Sequence, residues 1–271
     1  DWEEAAEVFR AARNGKIRLL YVAPERLEGG FGDFLREAAP KLVIVDEAHC
    51  VSHWGHDFRP SYLNIAPVME SLPARPPVAA FTATATPEVR ADIIEQLGLR
   101  DPFSLTTGFD RENLFFHVER PDDKNAAMMR YVGQFPHASG IIYCSTRKTV
   151  EEVCERLRKK GVKAVRYHAG LSDAERARNQ EEFIHDRAPV MVATNAFGMG
   201  IDKSNVRYVL HYNMPQNLDA YYQEAGRAGR DGLPSDCLLF YGARDVVTAK
   251  FFISQSPEDT RESANKKLRA M

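Results

Sequence analysis

The sequence predicts an α/β protein built as two lobes of parallel sheet. Three observations carry that expectation. Short apolar runs recur at 42–45, 78–81, 141–144 and 190–193, and the first, rich in β-branched residues, reads as a strand buried on both faces. Stretches with helical spacing lie between them, and strands alternating with helices imply parallel pairing through right-handed crossovers. The segment from 101 to 112 has turn-forming residues and little periodicity, so a boundary near Thr107 is expected.

In the first lobe, residues 2–14 read as a helix and 17–23 as a strand ending in Ala23-Pro24-Glu25-Arg26. Residues 31–39 read as a helix, and the strand at 42–45 runs straight into Asp46 and Glu47. Residues 62–71 read as a helix with Pro60 near its start. The strand at 78–81 closes on Thr82-Ala83-Thr84-Ala85-Thr86, where Thr86 is an N-cap, Pro87 the first helical residue and Glu88 part of the first turn. That helix stops at Gly98.

The second lobe offers strands at 114–118, 141–144, 164–167, 190–193, 206–212 and 237–241. Helices are expected at 123–135, 147–160, 172–185 and 217–227, and Ser172 and Glu175 have capping-box spacing. Residues 243–271 become helical and more charged.

The chain has 271 residues, 44% hydrophobic and 27% charged, the balance of a soluble globular protein with real cores. No apolar run approaches the roughly 20 residues that span a bilayer, so no membrane partner is expected. Four scattered cysteines (Cys50, Cys144, Cys154 and Cys237) read as buried thiols in a reducing compartment. With a net charge of −2, any nucleic-acid contact must come from local basic or aromatic surface.

The chemistry centres on Asp46 and Glu47. The carboxyl edge of a parallel sheet is where ligands bind in open α/β folds. One acid there suits Mg²⁺ held through its water shell, and its neighbour suits an attacking water. A solvated acidic turn is the bland alternative, and His49, His53, His56 and Asp57 also have the makings of a zinc site. Trp54 and Phe58, beside Arg59, fall outside any periodic pattern and suit stacking on single-stranded bases, or a small satellite core. Thr82 and Thr84 put hydroxyls at a strand's end. Gln223, Arg227 and Arg230 fall on one helical face or its extension, interrupted by Gly226 and Gly229, as suits a close backbone or ligand approach. Gly198, Gly200 and Asp202 follow the strand at 190–193 and could meet a nucleotide's phosphates and ribose.

Taken together, these stretches resemble the RecQ DNA helicases of helicase superfamily two, in order and over almost the whole chain. Tyr21-Val22-Ala23-Pro24-Glu25-Arg26-Leu27 is similar to motif Ib, and Val45-Asp46-Glu47-Ala48-His49 to the Walker B or DEAH box. The stretch from Cys50 to Pro60 resembles the aromatic-rich loop peculiar to that family. Phe81-Thr82-Ala83-Thr84-Ala85 resembles motif III, Ile142-Tyr143-Cys144-Ser145-Thr146-Arg147 motif IV, and Tyr167-His168-Ala169-Gly170-Leu171 the block after it. The stretch from Ala193 to Lys203 resembles motif V, and that from Gln223 to Gly232 motif VI.

The resemblance implies two RecA-like parallel-sheet lobes, 1–107 (incomplete) and 108–242, then at 243–271 the helical start of a zinc-binding region. It implies an ATP-dependent, 3′-to-5′ DNA helicase of repair or recombination, in a bacterial cytoplasm or a nucleus, with single-stranded and duplex DNA as partners. Asp46 would hold Mg²⁺ through water, Glu47 would be the base, and His49 would couple hydrolysis to DNA. Arg230 would be the arginine finger, supported by Gln223 and Arg227, while Gly200 and Asp202 would lie by the nucleotide. Trp54, Phe58, Arg59, Thr82, Thr84, Ser145, Arg147, His168 and Thr194 would bind DNA or couple it to ATP. The resemblance also implies a Zn²⁺ site further downstream, with no ligands here. A G-x-x-x-x-G-K-[ST] loop is missing, so a fragment without ATPase activity of its own is expected. The alternatives are a DEAD- or DEAH-type RNA helicase and a non-catalytic DNA-binding or annealing module.

Overall fold

The computed structural model describes residues 2–54, 58–83, 85–108, 110–198, 201–255, 261 and 265. The chain divides into two compact units, Asp1–Thr107 and Gly108–Met271.

The first unit contains α1 (Trp2–Arg13), α2 (Phe31–Ala38), β1 (Val43–Val45), α3 (Ile65–Glu70), β2 (Val78–Ala80) and α4 (Pro87–Gln96). Short 3-10 turns occupy Pro24–Leu27, Ala48–Val51 and Pro60–Asn64. β1 and β2 pair in parallel, with Val43 opposite Val78 and Val45 opposite Ala80. The core gathers Phe34, Leu35, Val45, Val51, Met69 and Ile93. Thr86 caps α4 as expected, its side chain accepting the Val89 N–H.

Three expectations for this unit need correction. The segment 17–23 has strand-like alternation, but no described strand runs beside it, and Leu19 and Tyr21 are exposed. A strand exists only in its ladder, which its own residues cannot supply. β1 is buried on one face rather than two: Val45 is 4% exposed and Ile44 57%. The β-branched run secures the extended backbone, whereas burial of the second face requires another layer. The helix expected at 62–71 begins only at Ile65, after the 3-10 turn. Pro67 explains this, because it lacks an N–H and is tolerated only in a first helical turn.

The second unit is a six-stranded sheet. Its elements are β3 (Leu114–Glu119), α5 (Lys124–Val132), β4 (Ser139–Tyr143), α6 (Arg147–Lys159), β5 (Ala164–Tyr167) and α7 (Asp173–Ile184). β6 (Val190–Ala193), β7 (Val206–His211), α8 (Leu218–Ala225), β8 (Ser235–Phe240) and α9 (Ala243–Gln255) complete it. The strand order is β3-β8-β7-β4-β6-β5, and every pair is parallel. One face packs Met128, Val150, Val153 and Leu157 of α5 and α6 against Ile142, Val192 and Leu210. The other packs Phe183 of α7 and Ala225 of α8 against Ile141, Met191 and Val209.

Asp123, Thr146, Ser172 and Asn217 cap α5, α6, α7 and α8 through their side chains. The capping box at Ser172 is half formed: Ser172 accepts the Glu175 N–H, but the Glu175 carboxylate bonds Arg166 at 2.9 Å instead of turning back. Of the region from 243 onward, the described part is mainly α9, and no group of described residues is arranged to hold a metal ion. All four cysteines are buried, and burial pushes the Cys237 thiol up to about 12. No helix among the described residues is long and apolar enough to cross a membrane.

Gly140 on β4 faces Tyr208 of β7 so closely that an added Cβ would sit 2.0 Å from the ring. Both strands lie in the middle of the sheet, so neither can yield without breaking a ladder. Gly140→Ala is expected to destabilise the second unit by about 3 kcal/mol or more, at the upper end of overpacking costs. A shift of the urea midpoint equivalent to less than about 1 kcal/mol would contradict this packing.

Candidate functional site

In the first unit the acidic pair emerges from β1, and backbone hydrogen bonds hold the corner. Phe81 N–H donates to the Val45 carbonyl at 2.8 Å, and Ala48 N–H returns to the Phe81 carbonyl at 2.8 Å. The residues between, Asp46 and Glu47, are thereby fixed at the carboxyl end of both strands. Asp46 is exposed, and its Oδ1 accepts the Glu47 N–H at 2.9 Å. Glu47 adopts a left-handed backbone (φ 48°), which turns the chain into the 3-10 segment and costs about 1–3 kcal/mol in a non-glycine residue. Tyr62 donates to the Asp46 carbonyl at 3.2 Å, and burial raises its phenol to about 12, so it stays a donor.

His49 is 2% exposed. Its Nδ1 lies 2.8 Å from Thr82 Oγ1 and 3.3 Å from Glu47 Oε2. The stretch after β2 is therefore joined to the acidic pair through one imidazole. The loop that follows leaves Trp54 76% exposed, and Phe58 stacks on His53 with ring centroids 3.8 Å apart. The satellite core allowed for by the sequence is not what Trp54 enters. Arg59 N–H donates to the Cys50 carbonyl at 2.8 Å, closing the loop at its base. His56, Asp57 and Thr84 lie outside the described residues. Glu25 of the neighbouring turn accepts from Ser61 Oγ at 2.9 Å, which helps hold its carboxyl below the usual range after the larger contribution of its backbone hydrogen bond.

In the second unit the expected residues gather at the carboxyl edge. Ser145 and Arg147 follow β4 and are exposed. Asn213, which the sequence reading did not single out, accepts the Ser145 N–H at 3.2 Å. It donates in turn to the buried Asp245 at 3.1 Å, and Lys124 pairs with Asp245 at 2.7 Å. His168 and Thr194, by contrast, are buried. His168 Nδ1 accepts the Gly170 N–H at 3.2 Å, so its proton sits on Nε2 and is donated to Glu151 at 2.7 Å. Thr194 Oγ1 accepts the Ala196 N–H at 3.4 Å. Both side chains shape loops from within.

α8 ends at Ala225, so Arg227 and Arg230 stand in the turn beyond it. Gln223 is half-buried and Arg230 is exposed, whereas Arg227 is 8% exposed and donates to the Gly198 carbonyl. A Cβ on Gly198 would meet that guanidinium at 2.6 Å, which accounts for this glycine. Arg230 Nη1 donates to the Ile201 carbonyl at 2.8 Å and lies 3.5 Å from exposed Asp202. Gly200 lies outside the described residues.

The family model described as "DEAD/DEAH box helicase" matches residues 2–93, and "Helicase conserved C-terminal domain" matches 123–232. The ATP-dependent DNA helicase RecQ of Bacillus subtilis is 46% identical over 271 residues, covering 99% of this chain and 46% of the relative. That of Haemophilus influenzae is 40% identical, covering 99% and 44%. The chain belongs to the RecQ helicase family. It spans about half the length of these RecQ relatives. Among solved structures, S. cerevisiae Dbp5 bound to RNA and ADP BeF3 matches with a TM-score of 0.62 at 19% identity, over 96% of this chain and 67% of that one. That likeness establishes the RecA-like fold.

The His168–Glu151 pair can be tested apart from any activity. Glu151→Ala strands a buried N–H donor and is expected to cost about 1–3 kcal/mol, whereas Glu151→Gln keeps an acceptor and costs less. Equal urea midpoints for the two variants would show that the pair does not hold this loop.

Proposed function

We propose that this RecQ-family chain is part of an ATP-dependent DNA helicase that moves 3′ to 5′ along single-stranded DNA and unwinds duplex DNA in repair or recombination. The carrying observation is the corner where Glu47, His49 and Thr82 converge within 3.3 Å, with Trp54 projecting from the adjoining loop. A catalytic acid and a nucleic-acid-facing aromatic are thus linked by one short stretch of chain.

The exposed, hard oxygens of Asp46 fit a Mg²⁺ ion, which takes one or two carboxylates and keeps its waters. Held there beside ATP, such an ion would supply positive charge to offset that of the phosphates. Glu47 then orients and deprotonates the attacking water, and His49 with Thr82 fixes the carboxylate's direction. Arg230 meets charge developing on the transferred phosphoryl group, a role worth roughly 10³–10⁵ in rate where measured. Arg227 holds the backbone at Gly198 and so acts on the nucleotide site from inside. Ser145 and Arg147 take phosphates of the DNA strand through a hydroxyl and a guanidinium. Trp54 stacks on a base, and Phe58 and Arg59 complete that contact.

Two measurements on the intact protein test this reading. Glu47→Gln should retain ATP binding and lose DNA-stimulated hydrolysis by at least about 10²-fold, the scale of a removed general base. Hydrolysis at the unaltered rate would remove Glu47 from the mechanism. Replacing Trp54 and Phe58 together by Ala should leave DNA-independent hydrolysis intact and abolish its stimulation. A double variant that still responds fully to single-stranded DNA would refute the coupling role of the loop.

A further inference from the structure

The turn that carries Arg230 is gripped by two residues from the segment leading into β3. Arg111 Nη2 donates to the carbonyls of Gly229 at 2.8 Å and Ala228 at 3.2 Å, and its Nη1 reaches the Gly226 carbonyl at 3.5 Å. Asn113 Nδ2 donates to the carbonyls of Gly229 at 2.9 Å and Leu233 at 3.0 Å, and Asn113 Oδ1 accepts from Arg111 Nε at 3.4 Å. These acceptors belong to the end of α8 and the turn after it, where a helix leaves carbonyls without partners. From the other side, Gly229 N–H donates to the Val206 carbonyl at 2.9 Å.

Gly229 shows how tight the grip is. Its φ is +56°, and a Cβ there would lie 2.4 Å from Asn113 Nδ2. Gly229, the residue immediately before Arg230, is thus bonded at both its N–H and its C=O, in a backbone conformation that leaves no room for a side chain. A guanidinium suits this work because its donors form a rigid planar fork, whereas a lysine offers a compact point charge.

We infer that Arg111, seconded by Asn113, is a positioning residue for Arg230: it sets the direction in which that side chain leaves the turn. This rests on the reading of Arg230 as the group that meets phosphoryl charge. A finger that acts only in the transition state loses kcat when displaced, while substrate affinity is untouched. Misplacement by about 1 Å can cost on the order of 10² in rate.

The test uses the intact protein, steady-state ATPase kinetics with saturating single-stranded DNA, binding of a non-hydrolysable ATP analogue, and thermal unfolding. Arg111→Ala is expected to lower kcat by about 10²-fold, with KM for ATP and analogue affinity within about twofold of the unaltered protein. Arg111→Lys should restore the unfolding temperature but only a small part of kcat. The double variant Arg111→Ala with Arg230→Ala should be no slower than Arg230→Ala alone, because both act through one group. If Arg111→Ala does not fold, Asn113→Ala carries the same test, removing two of the bonds with Arg111 in place. Multiplying losses in the double variant, a raised KM with kcat intact, or full kcat recovery by lysine would each overturn the inference. Arg230→Ala at full kcat would overturn the finger and this inference together. An impaired Arg230→Ala beside an unimpaired Arg111→Ala would overturn this inference alone.

Discussion

Parallel pairing is the constraint on which the rest of the structure depends. All six strands of the second unit run the same way, as do β1 and β2 of the first. Every carboxyl end in a sheet therefore opens onto one edge, and residues far apart in sequence arrive there together. Ser145 after β4, His168 after β5, Thr194 after β6 and Asn213 after β7 are neighbours for that reason. An antiparallel sheet of the same strands would send half of these loops to the opposite edge.

What parallel pairing does not supply is stiffness at the edge, and buried or half-buried polar side chains provide it. His49 bonds Thr82, His168 bonds Glu151, and Asn213 links the Ser145 amide to Asp245. Each places a hydrogen-bonded polar group where an unpaired one would cost about 1–3 kcal/mol, so each loop has a strong preference for one arrangement. The residues left facing outward (Asp46, Trp54, Arg147 and Arg230) are those for which a role toward ligands is proposed.

The order of strands and helices in the second unit was legible because its apolar runs are long enough to be buried and are punctuated by strong caps. Asp123, Ser172 and Asn217 fall at positions where a short polar side chain satisfies a free N–H. The first unit was less legible. Its pattern at 17–23 promised a strand, but pairing is a property of two segments and only one can be read at a time. At the site, residue types gave the exposed groups and missed their supports. Arg111, Asn113, Glu151 and Asn213 carry no periodicity and belong to no spacing rule. Their partners are mostly backbone atoms or side chains distant in sequence, which only the fold brings near. The unexplained cost of Gly229 was the one available signal, since a glycine in a helical pattern implies a close neighbour.

Arg227 and Arg230 show why residue type alone could not assign roles. They are three positions apart, and on a continued helix they would share a face. The helix instead ends at Ala225, and Gly229 takes a left-handed backbone between them. One arginine turns inward to the Gly198 carbonyl and the other outward beside Asp202. The glycine thus divides one basic motif into an inward, structural half and an outward half for which the reactive role is proposed. That division requires the Gly229 peptide to keep its orientation, and the local chain alone does not guarantee this, since glycine visits many conformations. The orientation is imposed by Arg111 and Asn113 from the segment leading into β3 and by the carbonyl of Val206. The direction of an exposed arginine is therefore decided by residues more than a hundred positions upstream, through bonds to backbone rather than to the arginine itself.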